Sequence, residues 1–137
     1  MASTQETRST SGWAIGFTYF AALVMLMVGT FHAIAGFAGI LENEFFVVTR
    51  NYAFEFDATA WGWIHLIAGV IVIFAAVGLF NGAVWARTVG VTMAVVSAIA
   101  NFGFIPYYPV WSIVIIALDV AVIWALTAHG RDISASR

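Results

Sequence analysis

The sequence predicts an all-α membrane protein that folds as an antiparallel bundle of four transmembrane helices. Composition is the first observation: of 137 residues, 63% are hydrophobic and 9% are charged, and the mean hydropathy is +0.98. A soluble domain is about 45–50% apolar and about 25% charged, so a water-soluble fold of this size could not bury so much apolar surface. The second observation is four long apolar stretches. The third is the shortness of two connections between them, which makes neighbouring helices antiparallel.

Each of the four apolar stretches is long enough to cross the hydrocarbon core, which takes about 20 residues in a helix. The second ends at the turn sequence Asn81-Gly82, and the third is stopped by Pro106, which cannot continue a helix. The first is longer than the hydrocarbon is thick and is expected to tilt or to extend beyond it. We predict a single domain with spans at residues 13–41, 60–80, 88–105 and 111–128.

Polar segments at both ends of the chain, residues 1–12 and 129–137, are predicted to be cytoplasmic tails, and the first is expected to be disordered. The arginine positions determine this orientation, because the side of a membrane protein that is rich in basic residues faces the cytoplasm. Four arginines fall on the side of the termini and one on the other: Arg8, Arg87, Arg131 and Arg137 against Arg50.

The one long loop, residues 42–59, is expected on the outer side. Tyr52, Phe54 and Phe56 alternate with small or charged residues, and a period of two indicates a strand. Together with residues 46–48 before the turn, this pattern predicts a small β-hairpin over the mouth of the bundle. Tyr52 and Phe54 are candidates for docking a protein partner.

Acidic residues in this loop raise the alternative of a divalent-cation site. Their spacing is not that of a calcium-binding loop, so a solvated outer surface is the preferred interpretation and no metal site is predicted. The four residues are Glu42, Glu44, Glu55 and Asp57.

Four strongly polar side chains lie inside the predicted spans, where hydrocarbon offers them no hydrogen bonds. This polar cluster consists of His32, His65, Asn101 and Asp119. Counted at ~1.5 Å per residue from the outer helix ends, His32 and Asp119 lie ~12–14 Å deep and the other two ~6–8 Å deep. Small residues at helical spacing indicate that most of these faces pack against other helices. We therefore expect the cluster to converge inside the bundle, with His32 within reach of Asp119.

Several roles for the polar cluster are consistent with the sequence. The first is structural: His32 and Asp119 share a proton or form a charge pair, while His65 and Asn101 hydrogen-bond across the bundle. The second is a site for a lipid head group or a quinone that opens to the outer leaflet. Bis-histidine haem ligation by His32 and His65 is disfavoured by their predicted difference in depth of ~6 Å. The fourth possible role is proton relay. No cofactor is predicted.

Three stretches in the second half of the chain contain W-G-W-I-H-L, W-A-R and P-Y-Y-P-V-W in this order: "FDATAWGWIHLIAGV", "GLFNGAVWARTVGV" and "SAIANFGFIPYYPVWSIVIIALDVAVIWAL". In residues 56–128 the chain resembles a family of small bacterial four-span integral membrane proteins described only as a domain of unknown function. The resemblance implies a four-span fold in a bacterial inner membrane. It covers His65, Asn101 and Asp119 but not His32, and it implies no activity.

The functional interpretation is non-enzymatic. The sequence has no nucleophile with a partner base and no glycine loop that cradles phosphate, so no catalytic residue is predicted. The net charge of −2 is too small and too dispersed to indicate nucleic acid. A bundle of this size leaves little room for a pore, yet it offers much apolar surface to other membrane proteins. We interpret the chain as an accessory or scaffolding subunit that docks on a larger membrane complex or self-associates; the alternative is lipid or quinone binding by the polar cluster.

Overall fold

A computed structural model describes residues 12–41, 48–49, 52–53 and 57–128. This part of the chain forms α1 Gly12–Leu41, β1 Val48–Thr49, β2 Tyr52–Ala53, α2 Ala58–Phe80, α3 Val84–Phe104 and α4 Pro109–Ala128. All four helices are long and apolar enough to cross a membrane. The predicted fold class, a membrane protein with four transmembrane helices, is confirmed. Of the predicted tails, residues 1–11 and 129–137 lie outside the described residues.

The loop between α1 and α2 contains the predicted hairpin in a short form. β1 and β2 pair in antiparallel fashion, with Val48 opposite Ala53 and Thr49 opposite Tyr52. The remainder of the loop, including Glu42, Glu44, Glu55 and the rest of the strand predicted to reach Phe56, lies outside the described residues.

The helix boundaries follow local signals in the sequence. α2 begins directly after Asp57, whose side chain accepts hydrogen bonds from the first turn of the helix. α4 begins at Pro109, because proline at the first helical position sacrifices no hydrogen bond. α2 and α3 are joined by a tight turn in which Gly82 has a φ of 71°, in the left-handed region that favours glycine. As a result α2 and α4 begin two residues earlier than predicted, and α3 begins four residues earlier.

Replacing Asp57 with alanine is expected to lower the free energy of unfolding by about 1 kcal/mol. The Oδ1 atom of Asp57 accepts hydrogen bonds from the backbone N–H groups of Thr59 and Ala60, each at 3.1 Å, and alanine would leave both without this acceptor. Unfolding in detergent, followed by circular dichroism, measures the change. Asp57→Asn is the matched control because it keeps an Oδ1 acceptor. Equal stability of the alanine and asparagine variants would contradict the capping role.

α1 and α2 form the closest helix pair, because glycines remove the side chains between them. Gly36 lies against the backbone of Gly62 and Leu66, and Gly69 lies against Gly29 and Ala33. Small residues at such positions let two transmembrane backbones approach closely. The α1–α2 pair is therefore held by backbone-to-backbone contact over much of its length.

The core shared by all four helices lies towards one end of the bundle. We call the end where α1 begins and α4 ends the termini end, and the opposite end the hairpin end. The buried apolar side chains of this core are mostly small: Ala21, Ala22, Met25, Val72, Ala75, Ala76, Leu79, Ala86, Ala94, Val122, Ala125 and Leu126. In α3 no residue beyond Ala94 is buried. The hairpin-end half of α3 is thus covered least, and Asn101 lies in that half.

Candidate functional site

The two histidines of the polar cluster stack on each other across the α1–α2 pair. The ring centroids of His32 and His65 are 5.1 Å apart, with an angle of 22° between the planes. The ring of Trp61, one turn before His65, stacks on His65 at 3.8 Å. His65 also places Nδ1 3.0 Å from the backbone carbonyl oxygen of Trp61. A carbonyl oxygen can only accept a hydrogen bond, so the proton of this bond is carried by Nδ1 of His65.

This stacked arrangement does not fit bis-histidine haem ligation. Two axial histidines must direct one ring nitrogen each at the iron from opposite sides of the haem plane, whereas His32 and His65 turn their ring faces towards each other. Among the described residues no group of three or more His, Asp or Glu side chains is placed to hold a metal ion.

The other two members of the polar cluster meet at the α3–α4 pair through Ser97. The side chain of Asp119 faces that of Ser97 and is close enough to interact with it. On the same helix as Ser97, the amide nitrogen of Asn101 donates to the backbone oxygen of Ser97 at 3.0 Å and lies 3.5 Å from its hydroxyl. Ser97 therefore links Asp119 in α4 to Asn101 in α3.

One polar atom of this group lacks a partner. The Oδ2 atom of Asp119 is fully occluded and accepts no hydrogen bond from any described residue. An unpaired polar atom inside a membrane span costs free energy, because hydrocarbon cannot replace the water it has lost. Buried polar atoms are satisfied in the great majority of cases, so this oxygen calls for a functional or structural explanation.

The structure divides the polar cluster into two pairs, one on α1–α2 and one on α3–α4. His32 was expected within reach of Asp119, and its ring stacks on that of His65. The predicted difference in depth between the two histidines was too large. α2 begins two residues earlier than predicted, which places His65 ~3 Å deeper, and the glycine contacts set α1 tightly on α2 so that the two histidines come to the same level.

Two residues that contact the polar cluster were not among the predicted site residues. Ser97 is four residues before Asn101, and this spacing places both side chains on one helix face, which is a signal that the sequence contained. Trp61 lies one turn before His65, and this spacing likewise places both rings on one helix face. For the docking candidates, the structure describes only the backbone of Tyr52, in β2, and Phe54 lies outside the described residues.

The bundle and both polar pairs fall within a known sequence family. The family model described as a domain of unknown function, DUF7144, matches residues 17–131. The chain belongs to the DUF7144 family. This match confirms the resemblance to an uncharacterised family, and it extends that resemblance over α1 and His32. No curated protein and no solved structure matches this DUF7144 chain.

Proposed function

We propose that this DUF7144 protein is an accessory subunit of a larger membrane complex in the bacterial inner membrane, with both termini in the cytoplasm, and that a transmembrane partner covers α3. The observation that supports the proposal is a mismatch between the polarity of α3 and its burial. α3 has the lowest mean hydropathy of the four helices, 1.3 against 2.0, 2.5 and 2.3, yet it has the smallest buried share, 11%.

A helix that faces lipid is expected to be the most apolar in a bundle, because lipid offers no hydrogen bonds. α3 has the opposite character, and its hairpin-end half carries Ser97 and Asn101 beside large exposed side chains. Ile99 is 69% exposed and Phe102 is 72% exposed. A partner helix packed on this surface would bury both apolar side chains and could hydrogen-bond to Asn101.

Site-specific photo-crosslinking tests this proposal in native membranes. A benzophenone amino acid at position 99 or 102 of α3 is expected to form an adduct with another protein. The same amino acid at position 67 or 74 of α2 provides the matched control. Ile67 and Phe74 are 55% and 65% exposed, but they lie on the most apolar helix and are expected to react with lipid only. Lipid adducts alone from all four positions would contradict the proposal.

A second candidate function is the binding of a lipid head group or a quinone between the α3–α4 pair and its neighbours. The unpaired Oδ2 atom of Asp119 favours it, because a bound hydroxyl group or water could supply the missing donor. Mass spectrometry of the protein purified in mild detergent distinguishes the two functions. A bound small molecule that is absent from the Asp119→Leu variant supports this candidate, whereas its presence in both proteins contradicts it.

A further inference from the structure

Three rings in the hairpin-end half of the α1–α2 pair form a stack, which we call the ring stack: His32, His65 and Trp61. The ring of His65 contacts both of the others, with centroid distances of 3.8 Å to Trp61 and 5.1 Å to His32. All three side chains are half-buried and so remain partly accessible. His65 lies ~10 Å along α2 from its start at the hairpin end. The ring stack therefore combines two titratable rings with one aromatic face, within reach of one side of the membrane.

The ring of His65 is arranged to accept a proton on one particular nitrogen. Its Nδ1 atom donates to the carbonyl oxygen of Trp61 at 3.0 Å, so Nε2 is the acceptor in the neutral ring. A proton added at Nε2 turns the ring into a cation that contacts the indole of Trp61. A cation within ~6 Å of an indole centroid is attracted by the electrons of the ring, and the attraction is stronger where water is excluded. Trp61 is therefore a partner for the charge that the proton brings.

A second proton on the ring stack would be opposed by the first. His65 is the charged group that acts on His32, and two imidazolium rings 5.1 Å apart repel each other strongly where little water screens them. The helices cannot separate easily to relieve this repulsion. Tight backbone contacts between α1 and α2 lie on both sides of the histidines, at Gly62 and at Gly69. The fold therefore holds the two rings together whether or not one of them is charged.

The other charged side chains of the described helices and their caps have different neighbours. Asp57 caps α2 eight residues before His65, ~12 Å away along the helix. On α4 the side chain of Asp119 faces Ser97, and on α3 Arg87 lies near the start of the helix, at the termini end. The remaining titratable side chains of the described spans and turns are three tyrosines: Tyr19, Tyr107 and Tyr108. The two histidines are thus each other's titratable neighbours across the α1–α2 pair.

We propose that the ring stack is a proton-binding site that holds one proton and excludes a second. The proton resides on His65, where the imidazolium contacts the indole of Trp61, and His32 stays neutral. Binding adds one positive charge to the α1–α2 pair in its hairpin-end half, which makes the charge of the bundle depend on the pH on that side of the membrane. The site belongs to α1 and α2 alone, so it does not depend on a partner of α3.

The fluorescence of Trp61 in the detergent-purified full chain tests where the proton binds. A protonated imidazole quenches the emission of an indole that it contacts. The emission of Trp61, measured as parent protein minus Trp61→Phe, should therefore fall as the pH is lowered from about 8 to about 5, the range around the ordinary histidine pKa. The fall should vanish in His65→Gln and remain in Asp119→Asn. Trp63, on the same helix and 52% exposed, is the matched control, and its emission should not change. A constant emission of Trp61, or a fall that survives in His65→Gln, would overturn the proposal.

Counting protons on the parent protein keeps the test decisive if His65→Gln fails to fold. Nitrogen NMR of histidine-labelled protein in detergent shows how many imidazole rings become charged over the same pH range. The chain has three histidines, and the signal of His129, which lies outside the described residues, is identified with His129→Gln. Of the other two rings, that of His65 should gain a proton and that of His32 should not. Protonation of both rings, or of neither, contradicts the proposed site.

Discussion

Replacing Gly62 with alanine is expected to force α1 and α2 apart and to destabilise the bundle. A Cβ atom at this position would lie 2.7 Å from the Gly36 carbonyl oxygen, 2.7 Å from the Ile40 nitrogen and 2.9 Å from the Gly39 carbonyl carbon. All three are backbone atoms of α1. They cannot rotate away as a flexible side chain could, so the whole helix must move.

Two opposing effects decide the size of the change. Alanine is a better helix former than glycine by about 1 kcal/mol, which favours the variant. Overpacking of a tightly packed core typically costs about 1–3 kcal/mol, and here the rigid backbone places the cost at the upper end or above it. We therefore expect a net loss of about 1–3 kcal/mol in the free energy of unfolding. The separation would also pull His32 away from His65.

Unfolding in mixed detergent and denaturing surfactant, followed by circular dichroism, measures this loss. Gly16→Ala is the matched control: it lies in α1, and a Cβ atom there would have nothing within 4 Å. The control receives the gain in helix propensity without the clash and should be as stable as the parent protein or slightly more so. If Gly62→Ala were as stable as Gly16→Ala, the backbone contact between α1 and α2 would not hold the pair together.

The helices could be predicted from the sequence because each carries a strong local signal. The apolar stretches, the turn at Asn81-Gly82 and the stop at Pro106 act over a few residues, and they bounded α2 and α3 to within a few positions. The hairpin followed from the alternation around Tyr52 and Phe54. These signals require no knowledge of which helices are neighbours.

The pairing within the polar cluster could not be predicted, because it depends on contacts between distant residues. Depth was counted from estimated helix ends, and an error of two residues at the start of α2 changed the level of His65 by ~3 Å. The glycines of α1 and α2 did indicate packing faces, but not that these faces meet each other. That contact sets the ring of His32 on the ring of His65.

Replacing Asp119 with leucine is expected to stabilise the isolated protein by about 1–3 kcal/mol, the cost of leaving a buried polar atom unpaired. The substitution removes the occluded Oδ2 atom, which has no hydrogen-bond partner among the described residues. It also removes the carboxylate that interacts with the side chain of Ser97. That loss is small, because a hydroxyl on a helix can donate to a carbonyl oxygen one turn earlier, as Thr92 does to Thr88 at 2.8 Å.

Two comparisons separate the effect of polarity from that of size. Asp119→Asn keeps two polar atoms in the same shape, so it should be close to the parent protein in stability. Val120→Leu adds apolar volume at the adjacent position, where the side chain is 57% exposed, and it should change little. Unfolding of all three variants in the same detergent mixture measures the differences. A gain confined to Asp119→Leu identifies the unpaired oxygen as its source.

Such a gain would mean that the parent protein retains a destabilising carboxylate in α4, a pattern that is typical of a functional group rather than a structural one. The opposite result has an equally definite meaning. If Asp119→Leu lowers the free energy of unfolding, the interaction between Asp119 and Ser97 stabilises the α3–α4 pair and the structural role of the cluster holds. In that case Asp119 no longer supports ligand binding, while the proposed contact between α3 and a partner rests on different residues and is tested independently.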